Sequence, residues 1–423
     1  MISRLKKKLY LIAASYFRFW SNFSLKRWKP RVIAVTGSVG KTTMLRMLEI
    51  QLGKKAHYSH NANSAFGIAF DIVGLKGVTN SKWRWLYLLV AVPIKSLIYK
   101  HQEEFYVVEI DGERPKETQF LANWLRPEVA LWVSLGRSHA VFYDQQVKNG
   151  LFDNVDQAIA HEFGYLPRNT KKLVIATSGN HLINQQIEDI SAEVRMVDIK
   201  DLQSYEVWAD KTRFSLKAGR VEFSCPMPEE VAVQLLMLEK LVEYLEIDLE
   251  LNMYQFQPAP GRNNFLPGKK GLKLIDSSYN AHLISMKSIL QMMQKMKADH
   301  KWLVIGDMTE QGAGEADQHQ KLGEELAKVE AERYVLVGRR VGNYTKPALE
   351  KAGLGEKTVH FDHASKALDY LKSELSGKET VLFKGSQYLE WIVEKLLADP
   401  GDKVKLPRQE PSAVRRRAKW GLK

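Results

Sequence analysis

Val32-Ile33-Ala34-Val35-Thr36-Gly37-Ser38-Val39-Gly40-Lys41-Thr42-Thr43 is the stretch that decides the fold. An apolar run typical of a buried strand gives way to glycines, a lysine and two threonines, and a helical pattern follows from Met44 to Leu52. This order predicts a strand, a phosphate-binding loop and a helix whose first N–H groups face an anion. We therefore expect a nucleoside triphosphate site formed by Gly37, Ser38, Val39, Gly40, Lys41, Thr42 and Thr43.

The spacing of this loop is GxxGKTT, which is shorter than the general P-loop pattern. Val35 stands where the longer pattern has its first glycine. Lys41 would supply a positive charge to phosphate and Thr42 a hydroxyl to Mg²⁺. The alternative interpretation is a glycine turn that only connects a strand to a helix.

Composition places the chain among globular proteins. Its 423 residues are 45% hydrophobic and 26% charged, which is enough chain for two or three domains with full cores. The single cysteine, Cys225, cannot form an internal disulfide, so nothing ties the fold to an oxidising compartment. We therefore expect a cytoplasmic protein.

The formal net charge of +13 is concentrated at the two ends of the chain. Residues 1–31 carry nine Lys or Arg and no acid, and residues 402–423 carry eight bases and two acids. Residues 32–401 have a net charge of −2. A body this close to neutral predicts no nucleic-acid partner, and residues 401–423 are predicted to be a solvated basic tail.

Two basic and aromatic stretches are typical of helices that lie in a membrane interface. Residues 1–30 combine a cluster of four basic residues with a short apolar, aromatic segment, and residues 83–99 form an apolar insertion beside Lys82, Arg84 and Lys95. Neither stretch reaches the roughly 20 apolar residues that a bilayer crossing needs. We expect peripheral contact with an anionic membrane surface, the alternative being helices that dock on the protein's own core.

Apolar strand-like segments alternate with helical patterns along the rest of the chain. In the first half they begin at Phe105, Val129 and Leu173, and Glu109 and His139 follow such segments as Lys41 does. In the second half they lie near residues 272–276, 302–306, 334–338, 358–361 and 381–383. This alternation predicts an α/β fold, with a P-loop-containing, mainly parallel central sheet domain followed by a Rossmann-like α/β C-terminal domain.

The boundary between these domains is predicted near residue 258. A helical pattern over residues 229–247 is followed by Gln257-Pro258-Ala259-Pro260-Gly261, which has the composition of a linker. The predicted organisation is a basic aromatic segment, a central domain, a C-terminal domain and a tail, over residues 1–30, 31–258, 259–400 and 401–423. An active site is expected in the cleft between the two domains.

Several further segments follow the phosphate loop in a recognisable order. They are the loop with Asn61, Asn63 and Gly67, then Val108-Glu109-Ile110, the segment from Pro127 to His139, Pro260-Gly261-Arg262, Leu274-Ile275-Asp276-Ser277-Ser278-Tyr279-Asn280-Ala281 and Lys384-Gly385-Ser386. Together these segments resemble the Mur ligases, the ATP-dependent amide ligases of peptidoglycan precursor assembly. The resemblance covers residues 31–395 and is greatest to the members that add D-alanyl-D-alanine.

The resemblance implies an enzyme that activates a carboxylate as an acyl phosphate with ATP, after which an amine attacks to form an amide. It implies that Lys41, Glu109 and His139 are catalytic, with Thr42, Glu109 and His139 at Mg²⁺. Arg262 and Asp276 would contact the nucleotide from the second domain. The residues implied for the substrates are Asn61, Asn63, Tyr279, Asn280 and Ser285.

The sequence departs from the family's pattern in four places. The lysine that is carbamylated to bridge a second metal would lie near residues 160–163, where His161 or Glu162 would have to replace it, or turnover would be impaired. Ser277, His282 and Leu283 replace an aspartate and an Asn-Pro pair, and Cys225-Pro226-Met227-Pro228 replaces a His-Asn stretch. Only about 30 residues precede the strand at Val32, so the resemblance does not reach the family's domain for the uridine nucleotide.

The leading hypothesis is a ligase that adds D-alanyl-D-alanine, or a similar amine, to a carboxylate cell-wall precursor at the inner face of the cell membrane. A lipid-linked acceptor would fit the interfacial helices. One alternative is a related ligase of another polymer, such as capsular polyglutamate. The other is a catalytically impaired, nucleotide-binding membrane scaffold, which would bind ATP tightly without releasing phosphate.

Overall fold

The computed structural model describes residues 2–60, 62–77, 82–386 and 388–422, which form two compact units. The first comprises Met1–Gly136, Gln145–Asp198 and Met237–Leu249, and the second comprises Arg137–Asp144, Ile199–Leu236 and Glu250–Lys423. This division differs from the single boundary predicted at residue 258, because residues 199–236 pack within the second unit. Val207 and Ala209, for example, lie in the same hydrophobic cluster as Met286 and Leu290.

The first unit is built on one six-stranded sheet. Its elements, in chain order, are α1 (Ile2–Trp28), β1 (Arg31–Thr36), α2 (Lys41–Leu52), β2 (Ala56–Tyr58), α3 (Ala65–Ile72), α4 (Lys82–Ile98), β3 (Phe105–Glu109), α5 (Glu117–Leu125), β4 (Val129–Trp132), α6 (Asp144–Lys148), α7 (Val155–Arg168), β5 (Leu173–Thr177), α8 (His181–Ile187) and β6 (Glu193–Val197). The strand order is β2-β3-β1-β4-β5-β6, and every neighbouring pair is parallel. The parallel sheet predicted from the apolar runs is therefore confirmed.

Strand β1 lies between β3 and β4, which decides where the phosphate loop leaves the sheet. Val35 pairs with Glu109 of β3, and Thr36 pairs with Trp132 of β4. The residues of β3 and β4 are all buried, as expected for a parallel sheet covered on both faces. The carboxyl ends of these three strands consequently meet at one edge, where ligands of open α/β sheets bind.

The second unit contains two sheets. Its elements are β7 (Ser204–Val207), β8 (Thr212–Leu216), β9 (Gly219–Phe223), the first residues of α9 (Val231–Leu245), β10 (Asn264–Pro267), β11 (Lys273–Ser277), α10 (Leu283–Lys295), β12 (Lys301–Gly306), α11 (Glu315–Leu326), β13 (Arg333–Val337), α12 (Lys346–Lys351), β14 (Thr358–Phe361), α13 (Ala364–Glu374), β15 (Thr380–Lys384), α14 (Leu389–Leu396) and α15 (Pro411–Ala418). From Met237 onwards, α9 belongs to the first unit. The larger sheet has the order β10-β11-β15-β12-β13-β14 and is parallel except for β10. Strands β7, β8 and β9 form a small antiparallel sheet that the sequence analysis did not predict.

Helices α1 and α4 pack against each other and against α3 in the first unit. Phe17 of α1 is buried beside Phe70 of α3, and the Tyr16 hydroxyl donates to the Leu89 carbonyl of α4 at 2.8 Å. The pair exposes twelve large apolar side chains, together called the α1/α4 face: Ile12, Tyr16, Phe19, Phe23, Trp83, Leu86, Tyr87, Leu89, Val90, Ile94, Leu97 and Ile98. Within the described ranges, every helix is too short or too polar to cross a bilayer.

Residues 401–422 pack on the second unit, although most of their basic side chains, among them Arg415, Arg416 and Lys419, are exposed as their charge predicts. Leu406 and Leu422 are buried in the same hydrophobic cluster as Trp391. Arg417 is also buried, and its Nη2 donates to Glu394 Oε2 at 2.8 Å. A few apolar side chains and one enclosed ion pair thus hold this basic segment on the second unit, which a count of charges could not predict.

Candidate functional site

Two glycines give the phosphate loop its shape. Gly37 has φ +142°, and a Cβ on it would lie 2.8 Å from Val133 Cγ2 and 2.9 Å from the Ser134 nitrogen. Gly40 has φ +85° in the left-handed region and directly precedes α2. Only glycine combines these backbone angles with so close an approach to the chain beyond β4. The motif is therefore required by the fold of the loop as well as by its chemistry.

Ser134 fixes the loop to the end of the neighbouring strand β4. The Val39 N–H donates to Ser134 Oγ at 2.9 Å, and that hydroxyl donates to the Val39 carbonyl at 2.7 Å. Ser38 Oγ similarly donates to the Gly136 carbonyl at 2.7 Å and accepts from the Gly136 N–H at 2.9 Å. The sequence analysis did not single out Ser134, although a serine two residues after a buried strand beside the loop is a usable signal.

The structure brings Lys41, Thr42 and Glu109 together at this edge. Lys41 Nζ donates to the Gly37 carbonyl at 2.6 Å and lies 3.4 Å from Asp111 Oδ1. Thr42 Oγ1 donates to Glu109 Oε2 at 2.9 Å. Lys41 and Glu109 are both buried. Asp111, which the sequence analysis left without a role, is thus the carboxylate that faces the loop lysine.

The donor set at this edge fits Mg²⁺. A threonine hydroxyl and a carboxylate are already in contact at the start of α2, and hard oxygen donors are the ligands that Mg²⁺ prefers. The first-turn N–H groups of α2 lie at the same point, and a helix leaves these groups without intrahelical partners. The edge therefore provides a lysine and backbone N–H groups that could bind phosphate, and side-chain oxygens that could bind a metal ion.

One of the two substrate residues predicted in the loop before α3, Asn63, lies beside this edge. Asn63 Nδ2 donates to Asp111 Oδ2 at 3.4 Å, and the Asp111 N–H donates to the Asn63 carbonyl at 3.2 Å. The contact joins this loop to the segment after β3. Asn61, the other predicted substrate residue here, lies outside the described residues.

His139 belongs to the second unit, and Lys41 and Glu109 belong to the first. Its Nδ1 lies 2.8 Å from Glu310 Oε2, and its ring centroid lies 5.7 Å from that of His282. Its φ of +53° is in the left-handed region. The Glu310 contact was not predicted, because 170 residues of sequence separate the two side chains and no motif spans them.

Arg262 and Asp276 lie near a buried lysine in the second unit. Asp276 lies one residue before the end of β11 and is fully buried, and burial raises the pKa of its carboxyl to about 6. Lys384 ends the neighbouring strand β15, where burial and the charge of Arg262 lower the pKa of its amine to about 7. Its Nζ donates to the Asn280 carbonyl at 2.6 Å. The sequence analysis left Lys384 without a role, since burial of its amine is invisible in the motif.

The remaining predicted substrate residues differ in their surroundings. Tyr279 is exposed, and the guanidinium groups of Arg262 and Arg408 lie over its ring at 4.7 Å and 5.7 Å from the centroid. Ser285 is engaged locally, because its hydroxyl donates to the His282 carbonyl and accepts from the His282 N–H at the start of α10. That hydroxyl closes a helix start, as capping residues do.

Both side chains that could replace the family's lysine are engaged in other contacts. The buried Glu162 carboxylate accepts the N–H groups of Lys116, Thr118 and Gln119 at 2.8 to 3.3 Å, so it caps the start of α5. The His161 ring packs edge-on against Tyr165. The expectation that one of them holds a second metal is therefore not supported by their contacts.

Comparisons with known proteins agree with this architecture. Residues 261–387 match the family model described as "Mur ligase, glutamate ligase domain". The UDP-N-acetylmuramoyl-tripeptide--D-alanyl-D-alanine ligase of Escherichia coli strain K12 is 25% identical over 374 residues, covering 84% of this chain and 74% of that protein. MurF of Acinetobacter baumannii has a TM-score of 0.71 at 20% identity, over 91% of this chain and 80% of that one. MurF of Thermotoga maritima in complex with ADP has a TM-score of 0.69 at 17% identity, over 95% and 84%.

Residues 261–387 match a Mur ligase C-terminal domain, and the parallel sheet with its glycine loop gives the chain an α/β architecture of the Mur ligase type. Within that type, the chain is homologous to the MurF ligases over about nine tenths of its length. The resemblance stated from the motifs is confirmed.

Proposed function

We propose that this chain is an ATP-dependent ligase that joins D-alanyl-D-alanine, or a similar amine, to the carboxylate of a muramoyl-peptide precursor of the cell wall. The observation that carries the proposal is the edge where Lys41, Thr42 and Glu109 meet beside a glycine loop. The substrates come from the printed name of the E. coli relative. Neither alternative ligase substrates nor a scaffold role has an observation of equal weight behind it.

The residues of the edge suit the first half of such a reaction. A carboxylate oxygen of the acceptor attacks the γ-phosphorus of ATP, the bond to the bridging oxygen breaks, and ADP leaves. Negative charge spreads over the transferring phosphoryl oxygens, where the Lys41 ammonium and the first N–H groups of α2 would stabilise it. A bound phosphate would compete with Asp111 for Lys41. Thr42 and Glu109 would hold Mg²⁺, which supplies further charge neutralisation when bound.

The second half transfers the acyl group to nitrogen. The amine attacks the acyl carbon, the C–O bond to phosphate breaks, and the amine nitrogen loses a proton as the amide forms. Arg262, Asp276 and His139 are proposed to assist from the second unit, the first two at the nucleotide and His139 at the metal. Tyr279, whose ring lies near two guanidinium groups, and Asn280 are proposed to contact the substrates.

A phosphate-release assay over a matrix of substrates tests the proposal. D-alanyl-D-alanine, L-alanyl-L-alanine and L-glutamate are the amines, and UDP-linked and lipid-linked muramoyl tripeptides and polyglutamate are the acceptors. We expect release of phosphate only when D-alanyl-D-alanine and a muramoyl tripeptide are both present. Release with L-glutamate and polyglutamate would identify the other ligase, and ATP binding without release in any mixture would identify the scaffold.

We also propose that the α1/α4 face docks on an anionic membrane surface. Twelve large apolar side chains are exposed on these two adjacent helices, and clustered exposed apolar surface is typical of protein or membrane interaction sites. The two helix sequences contain no acid, and Arg18, Arg84 and Lys95 are among their basic residues. Apolar side chains with basic neighbours suit the headgroup region of an anionic leaflet, here the inner face of the cell membrane.

Co-sedimentation with vesicles tests the docking. We expect binding to vesicles that contain phosphatidylglycerol, weaker binding at high salt, and a loss of about tenfold or more in the double variant Leu86→Glu, Val90→Glu. Val404→Glu, an equally exposed change on the second unit, is the matched control. Equal binding by the double variant would contradict the proposal, and a dimer that the double variant abolishes would assign the face to a second copy of the chain.

A further inference from the structure

A cluster of two histidines and a glutamate lies in the first unit, on residues that no part of the proposed reaction uses. His57 is in β2, while His101 and Glu103 are in the segment between α4 and β3. One potential ligand atom from each residue lies within 4.8 Å of the other two. Among the described residues, no other group of His, Cys, Asp or Glu meets this condition.

Hydrogen bonds fix which nitrogen of each ring carries a proton. His101 Nε2 lies 2.7 Å from the Ile72 carbonyl, which can only accept, so Nε2 carries the hydrogen. His57 Nε2 lies 3.1 Å from Asp71 Oδ2, and the Tyr106 hydroxyl donates to the same carboxylate oxygen at 2.9 Å. Histidines that bind metals usually donate their other ring N–H to a carboxylate or a backbone carbonyl, and both arrangements are present here.

His101 Nδ1 is an acceptor that lacks a hydrogen bond within the described structure. The atom is buried, and the His101 side chain is only 1% exposed. The nearest charged atom is Glu103 Oε2 at 3.4 Å, so two lone-pair acceptors face each other.

The separation of these two acceptors suits a shared cation. Ligand atoms at tetrahedral angles around Zn²⁺ lie about 3.3 Å apart, given metal–ligand distances of about 2.0 to 2.1 Å. The 3.4 Å between His101 Nδ1 and Glu103 Oε2 matches that value. The His57 ring stands at 76° to the His101 ring with 5.1 Å between centroids, so a third ligand approaches from another direction.

We propose that His57, His101 and Glu103 bind one borderline divalent cation of the Zn²⁺ class, with one coordination position left to water. Two imidazole nitrogens and one carboxylate select such a metal over Mg²⁺ or Ca²⁺, which prefer oxygen ligands. This site is separate in its residues from the phosphate-loop edge and does not depend on the proposed ligase activity.

The position of the site indicates what the cation would do. The Trp28 ring, at the end of α1, stacks on His101 at 3.6 Å, and Trp28 Nε1 donates to the Glu103 carbonyl at 2.6 Å. Tyr99, directly after α4, packs edge-on against His101 at 4.9 Å. A bound cation would therefore fasten the ends of both helices of the α1/α4 face to strand β2.

Cobalt titration of the full, metal-stripped chain tests the proposal. The titration is made in millimolar Mg²⁺, so that oxygen sites such as the Thr42 and Glu109 edge are occupied. We expect one Co²⁺ per chain, with the visible absorption of a four- or five-coordinate nitrogen and oxygen site, displaced by Zn²⁺. Glu103→Gln should weaken Co²⁺ binding by about tenfold or more. Zn²⁺ should also raise the melting temperature of the unaltered chain.

Two further variants complete the test. His57→Gln should weaken Co²⁺ binding as Glu103→Gln does, and neither changes the stacking of Trp28 on His101. His60→Gln, on an exposed histidine near the same strand, is the matched control and should bind Co²⁺ like the unaltered chain. The proposal is overturned if the unaltered chain binds no Co²⁺ in Mg²⁺, or if His57→Gln and Glu103→Gln bind it as tightly as His60→Gln does.

Discussion

The phosphate-loop edge of the first unit and the Arg262, Asp276 and Lys384 cluster of the second both place charged side chains near the carboxyl ends of parallel strands. At the edge, Lys41 faces Asp111, and the loop backbone is held by glycines and Ser134. In the cluster, burial dominates, so the pKa of Asp276 rises to about 6 and that of Lys384 falls to about 7. The edge thus holds its charged groups through contacts of the loop with neighbouring strands, whereas burial shifts the ionisation of the cluster.

The two regions also differ in how the sequence encodes them. The loop is one contiguous segment of twelve residues, and its geometry follows from glycine spacing. The cluster joins a loop residue and the ends of two strands, β11 and β15, that are neighbours only in the folded sheet. A short sequence motif can specify the position of a charged side chain such as Lys41. A pKa shift caused by burial, as at Asp276 and Lys384, depends on the tertiary structure.

The largest expected effect tests the lysine of the edge. Lys41→Ala removes the ammonium that would stabilise the phosphoryl group, so phosphate release should fall by about 10³-fold. The assay is phosphate release with both substrates, alongside circular dichroism of the folded chain. Lys54→Ala, an exposed lysine just after α2, is the control and should retain activity. If Lys41→Ala keeps activity within a few-fold of the unaltered chain, Lys41 does not stabilise the transferring phosphoryl group, and the proposed role of the phosphate-loop edge is wrong.

A smaller effect is expected at the carboxylate of the same edge. Glu109→Gln keeps the size of the side chain and a possible hydrogen bond to Thr42, but it removes a negative charge beside the proposed Mg²⁺. Turnover should fall by about 10²-fold, and more Mg²⁺ should be needed for half-maximal rate. A Mg²⁺ titration of the initial rate measures both. Glu104→Gln, just before the same strand, is the control, and an unchanged Mg²⁺ requirement in Glu109→Gln would argue against the metal role.

Much of the fold could be predicted from local patterns, and the reasons for the exceptions are physical. Parallel strands buried on both faces appear as apolar runs, so β1, β3, β4 and β5 and the parallel strands of the second unit were found near their observed bounds. The antiparallel strands β7, β8 and β9 alternate polar and apolar residues, and that weaker signal was missed. The packing of residues 401–422 depends on the positions of Glu394 and of the hydrophobic cluster around Trp391, and these positions cannot be predicted from the sequence.

The candidate site divides in the same way. Lys41, Thr42 and Glu109 follow from a motif and from strand ends, and the structure brings them together. Ser134, Asp111, Glu310 and Lys384 take their positions from contacts between separate segments. Motifs name residues that bind ligands directly, but they do not name the residues that hold them in place.

The smallest expected effect tests the charge that is tuned by burial. The pKa of Lys384 is about 7 in the folded chain against an ordinary value of 10.5, so between these values the unfolded chain binds one more proton than the folded chain. Stability from this group is therefore complete above pH 10.5 and is lost as the pH falls through 7. Between pH 7 and 9 it should add about 1.4 kcal/mol per pH unit at most.

Replacing the lysine isolates this contribution. Lys384→Met keeps the length of the side chain and removes its titration, so the stability of the unaltered chain relative to the variant should rise by about 2 kcal/mol from pH 7 to pH 9. Asp276 does not interfere, because its folded pKa of about 6 lies below this range. Hydrogen exchange of β15 is the measurement, since the two units need not unfold together. Lys366→Met, which changes an exposed lysine on α13, is the control, and its stability relative to the unaltered chain should not change with pH. If the stability of Lys384→Met relative to the unaltered chain does not change with pH either, the Lys384 amine is charged like the amines at the surface.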